Sequence, residues 1–228
     1  MEKEIAYFTS IIGDPVRTNI LWALLDGKAY TATELAIRAD TSLQNISMHL
    51  NKLLQAELLA VESQGRHKYY RFSRPEVAHV IETIGSLVPE KKQQKGAKYG
   101  DNIEVKFCRT CYDHLAGKVG VILTESLLEQ KIIEVKATEY SVTAKGEKFF
   151  DDFKIDIAAL KKLRRVFAKP CLDWSERKHH MAGSLGAALL EKMLSDNYFR
   201  KINNSRALLL TSKGQSQLYD KLKLSLRG

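Results

Sequence analysis

The sequence lacks the features of a secreted or membrane-spanning protein. It contains 3 cysteines among 228 residues, an odd number that does not suit a disulfide framework and favours reduced thiols or a metal or redox site. No stretch offers about 18 consecutive apolar residues, and the opening MEKEIAYFTSII has no basic start followed by an apolar run. We therefore expect a cytoplasmic protein with no membrane partner.

The motifs of several large enzyme classes are also missing. We find no phosphate-binding loop, no dinucleotide fingerprint and no nucleophile elbow. A thiol enzyme that uses Cys111 with His114 remains as an interpretation, but packing explains this pair equally well. We predict that the protein is not an enzyme.

Positive charge is abundant but unevenly distributed. The formal net charge of +9 favours a polyanionic partner. Residues 1–88 nevertheless hold 9 Lys and Arg against 10 Asp and Glu, whereas the remainder holds 27 against 17. Local clusters therefore matter more than bulk charge. Residues 66–74 contain no carboxylate and these basic side chains: Arg66, Lys68, Arg71 and Arg74.

Apolar periodicity and turn residues divide the N-terminal part into short elements. Two predicted helices flank residues 13–14. Thr31 or Thr33 can cap a short helix, TELAIRA, and residues 40–42 form the turn that starts a longer helix, SLQNISMHLNKLLQ. Segments rich in Val, Tyr and Phe on either side of residues 64–65 predict a two-stranded hairpin, and Pro75 begins a fifth helix. This order predicts a winged helix-turn-helix.

The longer helix presents two contrasting faces. Its anchoring face is predicted from apolar residues at three- and four-residue spacing: Leu43, Ile46, Leu50, Leu53 and Leu54. Its opposite face bears side chains that can hydrogen-bond base edges or phosphates in a major groove: Ser42, Gln44, Asn45, Ser47 and His49. Gln and Asn can each contact adenine with two hydrogen bonds, so we predict that Gln44 and Asn45 read bases while Ser47 and His49 lie nearer the backbone. An ordinary solvated helix face is the alternative.

The predicted hairpin carries positive charge close to its tip. Arg66, His67 and Lys68 lie where the wing of a winged helix meets a phosphate strand or the minor groove. A solvated turn is the alternative interpretation. Its position beside a polar helix favours DNA contact.

Two segments carry a family resemblance over residues 5–85. GDPVRTNILWALLDG and TATELAIRADTSLQNISMHLNKLLQAELLAVESQGRHKYYRFS resemble the ArsR family of bacterial winged-helix repressors. The resemblance implies a homodimer that binds a palindromic operator on double-stranded DNA and leaves it when an effector is sensed. It implies residues 42–51 as the recognition helix, and the helices at 5–12 and 75–87 as the dimer interface. Many metal sensors of this family carry cysteines in the helix corresponding to TELAIRAD, which has none here, so no metal site is expected in that helix.

The C-terminal half contains an internal repeat. HLAGKVGVILTESLLEQKII, from His114, aligns without gaps to HMAGSLGAALLEKMLSDNYF, from His180, at a spacing of 66 residues. Each copy is followed by a strand-like stretch and a similar close, VTAKG and LTSKG. We predict two helix-strand-strand-helix units, over 108–153 and 171–224, that resemble degenerate winged helices.

These patterns together define the predicted architecture. The fold class is mainly α with small β-hairpins (α+β). We predict a winged helix-turn-helix DNA-binding and dimerisation domain at 1–88, a linker at 89–101, and a duplicated effector-sensing domain at 102–228.

Thiols and imidazoles lie at matching places in the two repeats. Cys108, Cys111 and His114 are three residues apart on a predicted helix, and Cys171 and His180 occupy the corresponding region of the second repeat. If the repeats pack around a pseudo-two-fold axis, Cys111 and Cys171 approach one another and form a metal site with a histidine or a reversible disulfide. No cofactor is required, and a metal would be held by Cys108, Cys111, Cys171 and His114. Simple burial of the thiols is the alternative.

Aromatic and acidic residues border the same region. Tyr112, Asp113, Asp173 and Trp174 could line a pocket for a small-molecule effector, although Asp173 could instead cap a following helix. An oxidant is the second class of effector considered. The favoured function is a transcriptional repressor, ahead of a thiol enzyme and of a winged-helix module for protein or RNA contact.

Overall fold

The computed structural model describes residues 1–88, 103–203 and 205–226. The chain divides into two compact units, Met1–Asp101 and Asn102–Gly228, and each is described by itself. The predicted linker at 89–101 lies outside the described residues. Across the described ranges, every helix is too short or too polar to traverse a lipid bilayer.

The N-terminal unit combines short helices with one small sheet. The helices are α1 (Glu2–Ile12), α2 (Pro15–Ala23), α3 (Ala32–Arg38), α4 (Leu43–Gln55) and α5 (Pro75–Ser86), with a 3₁₀ turn at Leu24–Asp26. The strands are β1 (Tyr30–Thr31), β2 (Leu59–Gln64) and β3 (His67–Phe72), and β3 pairs antiparallel with both others. The predicted winged helix-turn-helix is confirmed, with the β2–β3 hairpin as its wing.

Local hydrogen bonds determine where two of these helices begin. The Asp14 side chain accepts a hydrogen bond of 3.0 Å from the backbone N–H of Arg17 at the start of α2. Thr31 and Glu34 form a reciprocal capping box at the start of α3. Such caps satisfy N–H groups that have no partner within the helix, so a short stretch of sequence suffices to position the helix.

The helices of this unit bury their apolar sides in one core. The side chains with almost no exposed surface are Ile20, Leu21, Leu24, Leu35, Ile46, Leu50 and Leu53. Leu54 is partly buried against them. The prediction that Leu43 anchors α4 is wrong, because Leu43 is 58% exposed. Leu43 is the first residue of α4, one turn before Ile46, and its side chain projects beyond the end of the core.

The C-terminal unit repeats one order of elements. A short helix α6 (Ile103–Phe107) precedes two successive sets of hairpin, helix, hairpin and helix. The first set is β4 (Arg109–Cys111), β5 (His114–Ala116), α7 (Gly117–Glu129), β6 (Ile133–Lys136), β7 (Glu139–Val142) and α8 (Ala144–Asp152). After α9 (Ile157–Lys161), the second set is β8 (Lys169–Leu172), β9 (His179–Ala182), α10 (Gly183–Ser195), β10 (Phe199–Lys201), β11 (Leu208–Leu210) and α11 (Ser212–Leu222). The mainly helical class with small hairpins is confirmed.

The predicted helix through Cys108, Cys111 and His114 is wrong. The helix α6 ends at Phe107, and Cys111 and His114 lie opposite one another across the β4–β5 hairpin. A separation of three residues fits one face of a helix, but it equally fits two partners on either side of a two-residue turn. Spacing alone could not distinguish these arrangements.

The glycines of α7 and α10 allow each helix to approach the other repeat. A Cβ atom added to Gly120 would lie 3.5 Å from the Cβ of His180, and one added to Gly186 would lie 3.3 Å from the Cβ of His114. The Cβ on Gly120 would also lie only 2.6 Å from the carbonyl oxygen of Leu115. The two repeats therefore share a closely packed interface with one continuous apolar core.

This close approach predicts the effect of adding a single methyl group. An ordinary helical Gly→Ala change stabilises a protein by about 1 kcal/mol. We expect Gly120→Ala instead to lower the free energy of unfolding by about 1–3 kcal/mol, because the methyl group meets the Leu115 carbonyl. Equilibrium unfolding in denaturant measures the change. Lys118→Ala, at an exposed position on the same helix, is the control and should cost nothing; equal stability of Gly120→Ala and the unmodified chain would contradict the close packing.

Candidate functional site

The outer face of α4 presents the predicted polar side chains. Gln44, Asn45 and Ser47 are exposed, and so is Ser42, whose hydroxyl accepts a hydrogen bond of 3.2 Å from the Asn45 backbone N–H. The amides of Gln44 and Asn45 therefore face outward while Ile46 lies in the core. This separation of faces is the arrangement that a recognition helix requires.

His49 departs from the predicted exposed face. It is only 8% exposed, and its Nδ1 lies 3.3 Å from Oδ1 of Asp14 at the start of α2. At about 100° per residue, position 49 lies only about 60° around the helix from Ile46, at the border of the buried face. His49 therefore connects α4 to α2 and is not available for a DNA phosphate in this structure.

Two apolar side chains on the exposed side of α4 were not among the predicted DNA-contacting residues, and one of them, Leu43, was predicted to lie in the core. Leu43 and Met48 are both about half exposed. Apolar side chains on a recognition helix can contact the methyl group of thymine. The position of Leu43 directly after the helix cap was a usable signal, since the first turn of such a helix lies nearest the bases.

The wing is a tight hairpin with a cationic tip. Gln64 pairs with His67, so the turn consists of Gly65 and Arg66 and lies one residue later than predicted. Gly65 has φ +60° and nothing within 4 Å of an added Cβ, as expected for the first residue of a turn that needs a positive φ. Arg66, His67 and Lys68 are all exposed. Arg66 and Lys68 are the first lysine and arginine side chains that follow α4 in the sequence.

The predicted sensor residues converge from both repeats. Cys111 on β4 pairs across strands with His114 on β5, and Cys171 on β8 pairs with His180 on β9. The ligand atoms of these four side chains all lie within 4.8 Å of one another. His180 was predicted as a sensor residue but not as a metal ligand.

Cys108 does not join this group. It is fully buried in the apolar core of the C-terminal unit, and burial raises the pKa of its thiol, outweighing the opposite influence of Arg109. None of the three cysteines, all within the described ranges, forms a disulfide. Cys108 is therefore a packing residue, as the alternative interpretation of the thiols proposed.

Asp173 is a fully buried carboxylate at the junction of the repeats. Its Oδ2 accepts hydrogen bonds from Arg109 Nη2 at 3.0 Å and from the Gly117 backbone N–H at 2.7 Å. The same oxygen lies 3.2 Å from Nδ1 of His180. Burial opposes ionisation, but the contacts with His180, Arg109 and Ser175 outweigh it and hold the pKa of Asp173 far below its usual range. Burial likewise opposes the charged form of His180, yet Asp173 and Cys111 raise the pKa of His180 overall.

The remaining predicted sensor residues lie around this cluster. Asp113 contacts Arg165 at 2.6 Å and His114 Nδ1 at 3.3 Å; burial opposes its ionisation, but these two partners prevail and lower the pKa of Asp113. The guanidinium of Arg109 lies 5.0 Å from the centre of the Trp174 ring. Tyr112 is about half exposed. Asp173 is committed to internal hydrogen bonds, so it does not line an open pocket. A small-molecule pocket at Tyr112, Asp113 and Trp174 stays a prediction.

Comparison with known proteins identifies the family. A family model for a helix-turn-helix domain matches residues 12–62. The chain is 42% identical over 215 residues to the HTH-type transcriptional regulator YdfF of Bacillus subtilis (strain 168), which covers 94% of this chain and 95% of that protein. This chain belongs to the HTH-type transcriptional regulators. The predicted DNA-binding regulator is thereby confirmed, and its relatives are named as regulators of transcription.

Two further matches of the regulator are shorter. It is 32% identical over 87 residues to the HTH-type transcriptional regulator CmtR of Mycobacterium tuberculosis, over 38% of this chain and 70% of that protein. A solved structure of the homodimeric winged helix-turn-helix DNA-binding domain of Mb0332 from Mycobacterium bovis, described as a possible ArsR-family regulator, is 22% identical with a TM-score of 0.34, over 36% of this chain and 75% of that chain. Of these three matches, the one with YdfF extends over both units of the regulator.

The buried ion pair at Asp173 predicts a large stability effect in the regulator. We expect Asp173→Ala to lower the free energy of unfolding by about 3–5 kcal/mol, because the buried Arg109 loses its counter-charge. Asp196→Ala is the control, since it breaks a partly exposed pair with Lys192 on α10 and should cost less than about 1 kcal/mol. Denaturant unfolding compares the two; similar losses would mean that the Asp173 charge is dispensable.

Proposed function

We propose that the regulator is a cytoplasmic, non-catalytic homodimeric repressor that inserts α4 into the major groove of a palindromic operator. The observation that carries the proposal is the outward-facing pair Gln44 and Asn45, held on a helix whose other face is buried in the core through Ile46 and Leu50. The core fixes the orientation of the helix. The amides can therefore meet base edges without loss of packing.

The first two turns of α4 are suited to base contact. Gln44 and Asn45 can each donate and accept hydrogen bonds at adenine, and Leu43 and Met48 can pack on thymine methyl groups. Ser47 is exposed in the same stretch and suits a phosphate or base contact. Adenine and thymine are therefore the bases that this surface reads best.

The wing supplies the complementary phosphate contact. Arg66 and Lys68 are exposed at the hairpin tip, whereas the downstream arginines point elsewhere: Arg71 Nη1 lies 3.3 Å from the Phe72 carbonyl and Arg74 Nη1 lies 3.5 Å from the Glu57 carbonyl. The tip residues are thus the cations of this hairpin that remain for DNA. His67 adds a further hydrogen-bonding group beside them.

The flanking helices offer an apolar surface for a second copy of the chain. Large apolar side chains are exposed on α1, on α5 and directly after α5: Ile5, Tyr7, Val80, Ile84 and Leu87. Exposed apolar side chains grouped on particular elements are typical of interaction sites. These are the two helices that the ArsR resemblance assigns to the dimer interface, so one interface satisfies both observations.

The C-terminal unit is the proposed site of effector sensing. It contains the cluster of Cys111, His114, Cys171 and His180 with its supporting charges. A small molecule or an oxidant acting there would release or strengthen DNA binding. Comparing DNA affinity with and without oxidant, for the unmodified chain and for Cys171→Ser, would detect such a response.

Operator binding tests the base-reading helix. Footprinting on the promoter of the protein's own gene defines a duplex, and fluorescence anisotropy then measures affinity. We expect Gln44→Ala and Asn45→Ala each to weaken specific binding by about 1–3 kcal/mol, because each removes a two-point base contact. Gln55→Ala is the matched control, at an exposed position at the far end of α4. An equal loss in Gln55→Ala, or no loss at Gln44 and Asn45, would contradict the assignment.

The same assay separates phosphate contact from base contact. We expect Lys68→Ala to weaken binding to operator and random duplex alike and to reduce the salt-dependence slope by about 1. Lys136→Ala provides the control, because Lys136 is an exposed lysine at the end of β6 in a hairpin of the other unit. If no duplex is bound at any salt concentration, the winged-helix domain serves protein or RNA contact instead.

The dimer interface is tested by charge insertion. We expect Ile84→Asp to convert a dimer into a monomer, because a carboxylate would be buried in an apolar interface. Light scattering after size-exclusion chromatography measures the molar mass. Val135→Asp, at an exposed apolar position on β6, should leave the dimer intact. A dimer in both variants would contradict an interface through α5.

A further inference from the structure

The two hairpins that meet at the repeat interface bring together four potential metal ligands. Cys111 and His114 come from one hairpin, and Cys171 and His180 come from the other. Three of these residues are buried and Cys171 is half-buried. The Nε2 atoms of the two histidines are 3.1 Å apart, whereas tetrahedral zinc with Zn–N bonds of about 2.0–2.1 Å separates two nitrogens by about 3.3 Å. The imidazoles already lie near the spacing that one ion would require.

A carboxylate oxygen lies beside Nδ1 of each imidazole. Nδ1 of His114 lies 3.3 Å from Asp113 Oδ1, and Nδ1 of His180 lies 3.2 Å from Asp173 Oδ2. A carboxylate at Nδ1 holds the proton on that nitrogen and leaves the lone pair of a neutral ring on Nε2. When both protons lie on Nδ1, the two Nε2 lone pairs face one another across 3.1 Å, so one cation can bind both.

The balance of charge favours a divalent cation. Two cysteine thiolates neutralise a charge of +2, and the neutral histidines add none. The two supporting carboxylates have their own counter-ions, since Asp113 contacts Arg165 at 2.6 Å and Asp173 contacts Arg109 at 3.0 Å. A divalent ion therefore leaves the buried cluster with no net charge, whereas a monovalent ion would leave an uncompensated negative charge in a buried site.

The ligand types select the class of metal. Two sulfurs and two imidazole nitrogens in a compact group suit zinc and similar ions, whereas Mg²⁺ and Ca²⁺ require oxygen ligands. We propose that Cys111, His114, Cys171 and His180 bind one divalent cation of the zinc class, which joins the two repeats. Four protein ligands leave no open coordination position, so the ion holds the repeats together and does not activate water. All four ligands belong to the C-terminal unit, so the inference does not rest on the DNA-binding proposal.

Cobalt substitution tests the site in the full-length chain. The chain is purified under reducing conditions, stripped with a chelator and titrated with Co²⁺. We expect one equivalent to bind, with the visible bands of tetrahedral Co²⁺ and a near-ultraviolet thiolate charge-transfer band, and Zn²⁺ to displace it. Zn²⁺ should also raise the unfolding temperature of the stripped chain, because binding to the folded state alone stabilises it.

Matched variants locate the ligands. We expect Cys171→Ser, at the half-buried ligand, to bind Co²⁺ more weakly, to show a smaller charge-transfer band from the remaining thiolate of Cys111, and to be stabilised less by Zn²⁺. Cys108→Ala removes a cysteine outside the cluster and should retain the full band and the full stabilisation. Asp113→Asn, at a positioning residue, should retain the bands with roughly 10- to 100-fold weaker affinity. Far-ultraviolet circular dichroism shows whether each variant is folded. If a ligand variant is unfolded without metal, the affinity of Asp113→Asn for Co²⁺ serves as the test in its place.

Several results would overturn the proposal. One is the absence of Co²⁺ binding to the reduced chain, which would assign the gap between the imidazoles to a shared proton. Another is a six-coordinate spectrum without thiolate charge transfer, or an equal loss of binding in Cys108→Ala and Cys171→Ser. A reduced chain that ignores Co²⁺ but readily forms a Cys111–Cys171 disulfide would establish a thiol switch in place of a metal site. None of these measurements involves DNA, so their failure is distinct from failure of the repressor proposal.

Discussion

The carboxylate of Asp173 is buried without solvent contact, and the interface between the two repeats is organised around it. It comes from the second repeat, yet it accepts hydrogen bonds from Arg109 and from the Gly117 N–H in the first. The same side chain also caps its own loop through the Ser175 N–H. A charge this deeply buried is tolerated only when nearly all of its hydrogen-bonding capacity is used. Displacement of either repeat would remove hydrogen-bonding partners from this buried charge. Asp173 therefore fixes the relative position of His180 and His114.

In the N-terminal unit, the constraint is that α4 must be anchored in the core on one side and exposed to DNA on the other. The buried side of α4 is held by Ile46, Leu50 and Leu53, and the contact between His49 and Asp14 adds a polar attachment at the border. The exposed side of α4 does not contribute to the core. Its amide and half-exposed apolar residues can therefore be substituted to suit a different DNA sequence without loss of folding stability.

The parts of the structure that depend on neighbouring residues could be predicted from the sequence. The break at residues 13–14 and the capping threonines at 31 or 33 predict where helices begin, and the structure supplies the caps at Asp14 and Thr31. The wing follows from Gly65 between two segments of high strand propensity. The internal repeat likewise places Cys171 and His180 in the region that corresponds to Cys111 and His114. These signals are local or repetitive, so no knowledge of tertiary contacts was needed.

The parts that failed depend on where an element ends or what it packs against. Leu43 has the right spacing for the core, but the core does not extend as far as the first turn of α4. His49 has a polar side chain, but Asp14 offers it a partner from another helix. The cysteine and histidine at 111 and 114 fit a helix or a hairpin equally well in sequence. The approach of Cys111 to Cys171 was predicted only on the condition that the repeats pack around a pseudo-two-fold axis, because that packing is a property of the repeat interface and no local pattern encodes it.

The equal contribution of the two repeats, one sulfur and one imidazole each, has an evolutionary consequence. A single unduplicated repeat would hold only half of the cluster, and two separate chains could complete it only at a concentration sufficient for them to associate. Fusion of the halves replaces that encounter with an intramolecular one, which does not depend on the concentration of the chain. The sequences of the fused repeats could then diverge, because the interface no longer had to form between two identical copies. The loop between β8 and β9 is longer than the loop between β4 and β5, and it carries the buried Asp173. In an assembly of two identical copies, both hairpins would have to carry that longer loop.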